Sequence, residues 1–481
     1  MKREDLFESM EHIDSRILER SQRPGPRRSK PVWMVAVAAV LVVILVAGVF
    51  LWPKGTPFGV QAGALAIAAY PELAPYPHQE DYYNEDTGEF DSAGYEKAYD
   101  AYSESQNALK QEEGFADGLD EFFEKSIPVF LAGKEGENAA YSPLNVYIAL
   151  AMLAELTDGE SRQQILELLG TDTLEASRQQ AHDVWQGSYQ DDGVTSTILA
   201  SSLWLREGVS YQQKTLDLLA QEYYASAFQG TMGDEAYNKQ LRDWLNEQTG
   251  GLLEEQVDSV ALKPEDVLAL VTTLYFQAGW DEKFSKSDTK PQIFHGPEGD
   301  VEKEFLSQQT MGSYYRGENF GAVGKEMSEG TMWLILPDEG VTPEQLVQEG
   351  RAVNFLLEEP WKDCESRTVN LAMPKFDISS QTDLLEGMKA LGVTDVMDPS
   401  KSDFTPMTSE LKELYLTQAE HSVRVAVDEE GVTAAAYSMM VVSETGAWVA
   451  EELDFVLDRP FLFAITNPEG LVLFVGIVNQ P

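Results

Sequence analysis

The chain has 481 residues, of which 43% are hydrophobic and 24% charged, so its composition is typical of a globular protein and excludes a disordered chain. The formal net charge is −46; residues 1–54 hold nine Lys/Arg and six Asp/Glu, so the rest of the chain carries −49, which argues against nucleic-acid binding through a general electrostatic surface. The single cysteine excludes an intrachain disulfide, and the dispersed histidines form no zinc motif, so we expect no metal and no cofactor.

The first predicted element is a membrane helix at Trp33–Trp52. Its twenty residues carry no charge, and a helix of that length rises about 30 Å, which matches the apolar core of a bilayer. Five basic residues shortly precede it, whereas only Lys54 follows before an acidic region. The positive-inside rule therefore places residues 1–32 in the cytoplasm and the C-terminal part of the chain outside the cell. The alternatives are a cleaved signal peptide, for which the apolar run is too long, and a soluble core helix, which would keep a polar face.

Residues 53–113 are predicted to form an acidic stalk that contains many tyrosines and prolines. Three prolines between residues 71 and 77 interrupt any regular element, and residues 81–91 read DYYNEDTGEFD. Because no frame of this segment has the glycine and acid spacing of an EF-hand, a solvated spacer is favoured over a calcium site. Regularly spaced tyrosines indicate a short helix that packs its aromatic side on another surface: Tyr95, Tyr99 and Tyr102.

The main domain is predicted to cover residues 114–481. An amphipathic helical pattern starts at Leu119, and Ser142-Pro143 opens a second apolar helix with proline at an early position, where it is tolerated. Apolar runs of strand length follow, with helical patterns between them: Ile198–Arg206, Leu268–Phe276, Met332–Pro337, Val369–Phe376, His421–Val427, Phe461–Asn467 and Leu471–Asn479. Because helices and strands do not alternate strictly, the predicted fold class is α+β with large mixed or antiparallel sheets.

The main domain contains a series of sequence blocks that occur together in one known family: NAAYSPLNVYIALAML, TTLYFQAGWDEKF, LILPDEG, MPKFDIS, SDFTPMT, AEHSVRVAVDEEGVTAAA and FVLDRPFLFAI. In this order, from about residue 115 to the C-terminus, they resemble the serpin family of serine protease inhibitors. The resemblance implies a large central mixed β-sheet, further sheets, eight or nine helices and an exposed reactive loop at about 429–453. With the predicted anchor, the chain is similar to serpins of bacterial type.

The resemblance implies a covalent trap rather than an enzyme. Inhibitory serpins offer the reactive loop as bait to a serine protease, or sometimes a cysteine protease, which becomes acylated at the scissile bond. The cut loop then inserts as a new strand into the central sheet and carries the protease to the far end of the molecule. The chain is expected to act as a monomer, with a protease and the lipid bilayer as its partners.

A hinge that must enter the sheet is implied at the start of the reactive loop, and the motif covers Glu429, Glu430, Gly431, Val432, Thr433, Ala434, Ala435 and Ala436. Side chains alternate between the two faces of a strand, so Val432, Ala434 and Ala436 would share the face that becomes buried. None of the three is charged. The hinge therefore favours an inhibitory serpin over an ordinary buried strand, because a triple alanine has poor strand propensity.

Beneath the hinge, the resemblance implies two supporting regions. Trp280 corresponds to the tryptophan of the breach, the region where the sheet opens. Ser142 and His421 match the polar cluster called the shutter, whereas Asn145 and Thr272 stand where the family more often has Ser and Asn. All four residues carry polar groups, so the sequence is compatible with a hydrogen-bonded cluster, whose geometry the two departures leave open.

The scissile bond is predicted at Thr445-Gly446 by the family's usual spacing from Gly431, within a window from Glu444 to Val449. No Lys or Arg lies between Val425 and Asp458, so a trypsin-like protease would find no cation for its specificity pocket. Thr445 or Ala447 would suit an elastase-like or subtilisin-like protease, and Trp448 or Met440 a chymotrypsin-like one; the small residues are favoured because the spacing falls on Thr445.

Three other functions stay open at this point. One is a non-inhibitory serpin that acts as a surface binding module, which charged or bulky inward hinge residues would favour. Another is a transmembrane signalling protein that uses its N-terminal helix inside the cell and the serpin domain as an extracellular sensor. The third is an enzyme, for which the sequence offers only two unrelated Ser-x-x-Lys matches, at Ser287–Lys290 and Ser409–Lys412, and no GxSxG.

Overall fold

The computed structural model describes residues 63–84, 87–131, 136–251, 260–358, 364–411, 413–432 and 452–481. The predicted cytoplasmic segment, the predicted membrane helix and residues 433–451 of the reactive loop lie outside these ranges. Within them, no helix combines the length and the apolar character that crossing a membrane requires.

The described residues contain ten α-helices, nine of them within residues 114–481, for which about eight or nine were predicted. They are α1 (Ser92–Leu109), α2 (Leu119–Leu131), α3 (Pro143–Leu156), α4 (Gly159–Leu169), α5 (Leu174–Ser188), α6 (Gln213–Glu222), α7 (Glu235–Gln248), α8 (Pro343–Gln348), α9 (Arg351–Leu357) and α10 (Leu384–Ala390). The first of them, α1, lies in the segment that was predicted as a stalk, before the recognisable sequence blocks begin.

The described strands form two sheets. They are β1 (Ala64–Ala66), β2 (Ala139–Tyr141), β3 (Gln190–Asp191), β4 (Ser196–Arg206), β5 (Ala225–Gly230), β6 (Leu268–Gly279), β7 (Lys290–Gly296), β8 (Gly299–Gly317), β9 (Phe320–Met327), β10 (Gly330–Pro337), β11 (Glu365–Pro374), β12 (Phe376–Asp383), β13 (Ala419–Val427), β14 (Gly431–Val432), β15 (Glu452–Val456), β16 (Phe461–Thr466) and β17 (Val472–Val478). Every apolar run that the sequence predicted as a strand contains strand residues, although Val369–Phe376 spans the end of β11, Lys375 and the start of β12.

The central sheet has the order β1-β5-β4-β6-β14-β13-β12, with β3 paired to β4, which makes eight strands among the described residues. It is mixed: β4 runs antiparallel to β6, whereas β4 and β5 are parallel, as are β6 and β13. A second sheet of nine described strands has the order β15-β11-β8-β9-β10-β16-β17-β2, with β7 paired to β8. The α+β class with mixed sheets is therefore confirmed.

Helix α3 lies between the two sheets, where it contacts β17 on one side and β6 on the other. All 14 of its residues are buried, as expected for a helix that is apolar on every side. Ser142 caps its N-terminus by accepting a hydrogen bond from the backbone N–H of Asn145 at 3.3 Å, and Pro143 occupies the first turn, where no N–H is needed. The cap fixes Ser142 beneath the central sheet.

Described residues between 63 and 109 pack on the domain, which corrects the prediction of a solvated spacer for this part of the stalk. Strand β1 extends the central sheet by pairing with β5, with Ala64 opposite Phe228 and Ala66 opposite Ala227. The edge of β5 would otherwise leave backbone hydrogen-bonding groups without partners, and β1 satisfies part of that edge.

Tyr70 supplies the main side-chain contact of this extension. Its ring centroid lies 5.5 Å from that of Trp185, 5.9 Å from Tyr189 and 6.3 Å from Tyr224. Its hydroxyl donates a hydrogen bond to Gln248 Oε1 at 3.3 Å. Aromatic contacts of this kind add to the free energy gained by burying the ring, so the extension contributes to the folded domain.

Candidate functional site

Gly431 and Val432, near the start of the reactive loop, already lie within the central sheet. Strand β14 enters between β6 and β13, with Gly431 opposite Gly279 and Val432 opposite Ala278 on β6. On its other side Val432 pairs with Val427 of β13. The side chain of Val432 is 1% exposed, so it points into the core, which is the orientation that strand alternation predicts.

Further along the sheet, β6 and β13 pair directly with each other. Their parallel register runs from Leu270 opposite Ala419 to Thr273 opposite Ser422. The two strands are therefore in contact at one end of the sheet and separated by β14 at the other. A longer strand at the position of β14 would have to part the direct pairs between β6 and β13.

Gly431 is required by close contact with β6. A Cβ atom at this position would lie 2.2 Å from the carbonyl oxygen of Ala278, a distance that real side chains do not adopt. The preceding turn is held by Asp428, whose Oδ1 accepts hydrogen bonds from the backbone N–H groups of Glu430 at 2.8 Å and Gly431 at 3.3 Å. The turn and the glycine together direct the chain into the sheet.

Glu429 anchors the hinge to the body of the domain. Its carboxylate lies 2.8 Å from Lys375 Nζ and accepts a hydrogen bond from Thr289 Oγ1 at 2.9 Å. Burial alone would raise the pKa of this carboxyl, but the hydrogen bonds from Lys375 and Thr289 outweigh burial and hold the pKa below its usual range. Its backbone carbonyl accepts from the N–H of Phe284 at 3.1 Å.

Glu430 makes a second, more exposed anchor. Its carboxylate lies 2.8 Å from Lys283 Nζ and 3.1 Å from Lys286 Nζ. The hydrogen bonds from these two lysines lower the pKa of the Glu430 carboxyl. Two successive glutamates are thus held by separate sets of cations immediately before the chain enters the sheet.

Trp280, the predicted breach tryptophan, lies next to the point where β14 enters the central sheet. Its backbone N–H donates to the carbonyl of Glu430 at 3.0 Å, and its indole Nε1 donates to the carbonyl of Asp428 at 2.9 Å. The ring is buried, and Lys325 Nζ lies 5.9 Å from its centroid. Burial lowers the pKa of Lys325 to about 8. The predicted breach tryptophan therefore contacts the hinge directly.

The four predicted shutter residues lie together beneath the sheet, and all four are buried. The backbone N–H of Ser142 donates to His421 Nε2 at 3.1 Å, and Thr272 stands opposite His421 in the pairing of β6 with β13. Asn145 joins the group through its backbone bond to Ser142 Oγ. Among the described residues, the side-chain polar atoms of Asn145 and Thr272 have no hydrogen-bond partner. These two side chains therefore take no part in a hydrogen-bonded cluster with Ser142 and His421.

His421 is neutral at physiological pH. Complete burial lowers the pKa of its imidazole to about 3. Because Nε2 accepts the hydrogen bond from Ser142, the ring proton is assigned to Nδ1. Tyr141 packs edge-on against the imidazole at a centroid distance of 5.8 Å. Parting β6 from β13 would therefore disturb the packing around a buried neutral histidine.

The far end of the loop returns to the second sheet. Strand β15 forms the edge of that sheet and pairs in parallel with β11, from Thr368 opposite Glu452 to Ala372 opposite Val456. The loop thus connects two different sheets. The remaining predicted hinge residues and the predicted scissile region lie outside the described residues: Thr433, Ala434, Ala435, Ala436, Thr445, Gly446 and the window from Glu444 to Val449.

The cations that hold the hinge were not singled out from the sequence. Lys375 lies within the block MPKFDIS, and Lys283 lies within the block TTLYFQAGWDEKF. Both blocks contributed only to the family resemblance, and neither lysine was predicted to contact the hinge. The useful signal was the pair of adjacent glutamates, since buried or half-buried carboxylates require partners of opposite charge.

Comparison with known proteins identifies the family. The family model described as serpin (serine protease inhibitor) matches residues 128–481. Among curated relatives, Serpin-ZXA of Oryza sativa subsp. japonica is 29% identical over 74% of this chain and 93% of its own length. Plasminogen activator inhibitor 1 of Sus scrofa is 27% identical over 72% of this chain and 87% of its own length.

Solved structures agree with this assignment. The native-state crystal structure of the thermophilic serpin tengpin superposes with a TM-score of 0.69 and 25% identity, over 77% of this chain and 95% of that chain. Human thyroxine-binding globulin has a TM-score of 0.67 at 20% identity, over 76% of this chain and 98% of that chain, which shows similarity of fold alone.

Proposed function

Because the chain belongs to the serpin family, whose members are generally protease inhibitors and not enzymes, we propose that it is a membrane-anchored extracellular inhibitor of a serine protease. It traps the protease after cleavage within the loop between Val432 and Glu452. The observation that carries this proposal is the position of β14, which places an uncharged, buried Val432 between β6 and β13 at the start of the loop.

The trapping reaction follows from the chemistry of an acyl-enzyme. The protease serine oxygen adds to the carbonyl carbon of Thr445, and the bond to the nitrogen of Gly446 breaks. Gly446 leaves as a new amino terminus after taking a proton, and the protease stays joined to Thr445 through an ester. Insertion of residues 433–445 behind β14 would then move the esterified protease along the sheet before water can hydrolyse the ester.

Insertion requires energy stored in the starting structure. An inserted strand of about fifteen residues gains hydrogen bonds on both sides at about 1 kcal/mol each. Ordering its residues costs about 1–2 kcal/mol per residue, so the two contributions nearly cancel. The uncut protein is therefore a kinetically stable form whose sheet has yet to gain its full complement of strands.

The preferred target is an elastase-like or subtilisin-like protease. The loop has no Lys or Arg from Val425 to Asp458, so it cannot place a cation in a trypsin-like pocket, whereas Thr445 or Ala447 fits a small pocket. The uncharged Trp33–Trp52 segment with basic residues before it supports anchoring in the cell membrane with the serpin domain outside.

The test is to incubate the full chain in detergent with a panel of serine proteases and look for SDS-stable complexes. We expect complexes with elastase-like or subtilisin-like enzymes, association rates at least about a hundredfold above that of trypsin, and a released peptide that begins at Gly446. Fast stoichiometric trapping of trypsin contradicts the target assignment. Cleavage or binding without any covalent complex contradicts the inhibitor and favours a surface binding module.

A further inference from the structure

The extension before the serpin domain carries a continuous row of aromatic side chains, here called the aromatic strip: Tyr83, Phe90, Tyr95 and Tyr99. Successive ring centroids along it are 5.0, 5.7 and 6.2 Å apart. Tyr83 is 52% exposed, Phe90 38% and Tyr99 47%. Large aromatic side chains grouped at the surface indicate an interaction site more often than isolated ones do.

The aromatic strip is surrounded by negative charge. From Gln79 to Glu104 the sequence has nine Asp/Glu and one Lys. Acidic side chains next to the strip are exposed, among them Glu89, Glu96 and Asp100. A surface that combines exposed aromatic faces with carboxylates suits Lys and Arg side chains, because ring faces attract cations and carboxylates pair with them.

Tyr76 and Tyr102 attach the extension at the same end of the central sheet as the hinge, whereas its β1 pairs with β5 near the other end. The backbone N–H of Tyr76 donates to the carbonyl of Asp192 at 3.0 Å, and the Tyr102 hydroxyl donates to Asp192 Oδ2 at 3.2 Å. Asp192 lies just before β4, whose first residue, Ser196, stands opposite Gln277 on β6. Two residues further along β6, Gly279 pairs with Gly431 of the hinge.

A second route of contacts joins the same regions. Thr195 Oγ1 and Ser328 Oγ are 2.9 Å apart, and the backbone N–H of Ser328 donates to the carbonyl of Gly279 at 2.9 Å. A protease that engages the reactive loop therefore approaches the end of the sheet at which Tyr76 and Tyr102 hold the extension.

We propose that the aromatic strip and the carboxylates around it form a second contact surface for the target protease, one that recognises a Lys/Arg-rich patch beside the protease active-site cleft. This inference rests on the proposed function, because it takes the protease at the reactive loop as its partner. A second copy of the chain is a poor occupant, since two such surfaces repel each other, and an anionic lipid surface is repelled for the same reason.

The contact changes the rate at which the protease associates with the chain and leaves the later trapping reaction unaffected. Opposite charges accelerate association by steering, and the effect weakens as salt screens it. Because residues 63–109 are separate from the inserting loop, the stoichiometry of inhibition stays constant when the surface changes. The surface thus selects among proteases that accept the same small residue at the scissile bond.

The test compares full-length variants in detergent against an elastase-like protease with a basic surface, used as isolated and after succinylation of its lysines. The aromatic variant carries Tyr83→Ala and Tyr99→Ala, and the charge variant carries Glu96→Gln and Asp100→Asn. Tyr415→Ala and Glu265→Gln are matched controls, because both residues are exposed and precede the far ends of β13 and β6. Thermal unfolding verifies that all variants are folded.

We expect both test variants to lower the association rate with the basic protease by about tenfold at low ionic strength, with unchanged stoichiometry. The controls keep the rate, and succinylation or high salt removes the difference. Equal rates for test and control variants overturn the inference. Binding of a protease whose catalytic serine is replaced by alanine separates the two proposals. If active protease forms no covalent complex, the inhibitor proposal fails. If the inactive protease still binds and the two test variants weaken that binding, the contact surface is nevertheless supported.

Discussion

The carboxylate of Glu429 lies 2.8 Å from the ammonium group of Lys375, the single residue between β11 and β12. This ion pair joins the start of the reactive loop to the junction of those two strands. Glu429 is 7% exposed, whereas the other carboxylate that contacts Lys375, Glu304, is largely exposed and lies at 3.2 Å. One lysine thus has a buried and an exposed partner, which makes a matched comparison possible.

Replacing Glu429 with glutamine should destabilise the native protein by about 1–3 kcal/mol, because it removes the buried partner of a charged group. Glu304→Gln should change the free energy of unfolding by less than about 1 kcal/mol, as is usual for exposed ion pairs. Urea unfolding of both variants measures the difference. Equal effects would show that burial at the hinge adds nothing to this ion pair.

A charge on the inward face of the hinge should convert the inhibitor into a substrate. Val432 is already buried in the uncut protein, so alternation places Ala434 on the face that becomes buried during insertion and Ala435 on the opposite face. Burying the carboxylate of Ala434→Glu costs several kcal/mol, so loop cleavage should continue while covalent complexes decrease at least about tenfold. Ala435→Glu is the control, and complexes lost equally in both variants would argue against alternate burial.

Acid should weaken the fold through His421. The pKa of this imidazole is about 3 in the folded protein and 6.5 as an ordinary value, so the unfolded chain binds more protons between these pH values. The contribution of His421 to the free energy of unfolding is therefore complete above pH 6.5. It decreases by about 1.4 kcal/mol for each pH unit below 6.5, until the pH reaches the pKa of the folded protein. Unfolding from pH 7 to 4.5 should show a steeper loss for the wild type than for His421→Gln. Parallel pH profiles would contradict a neutral buried histidine.

Tyr70 should hold the extension to the domain. Tyr70→Ala removes a ring that packs on Trp185 and is expected to lower the free energy of unfolding by about 2 kcal/mol. Tyr99→Ala, at an exposed ring of the same extension, should change it by less than about 0.5 kcal/mol. Increased proteolysis between residues 63 and 109 in the Tyr70 variant alone would support the same conclusion. Unchanged proteolysis and stability in that variant would argue against packing of the extension.

The sequence by itself determined the elements of the serpin domain. Runs such as Phe461–Asn467 are strongly apolar over the length of a strand, and the helix after Ser142 has both its cap and its proline within two residues. These signals are local, because strand and helix periods and capping depend on neighbouring residues. The order of recognisable blocks then sufficed to identify the family and to predict the position of the hinge.

Only the tertiary structure decided how the extension and the hinge are held. Ala64–Ala66 is a strand because β5 presents an edge to it, and no pattern within three residues could reveal that partner. Likewise, Glu429 and Lys375 are far apart in the chain and meet because β13 turns into β14 beside the junction of β11 and β12. Pairing between distant segments depends on which surfaces the fold brings within hydrogen-bonding distance, and that information is absent from local composition and periodicity.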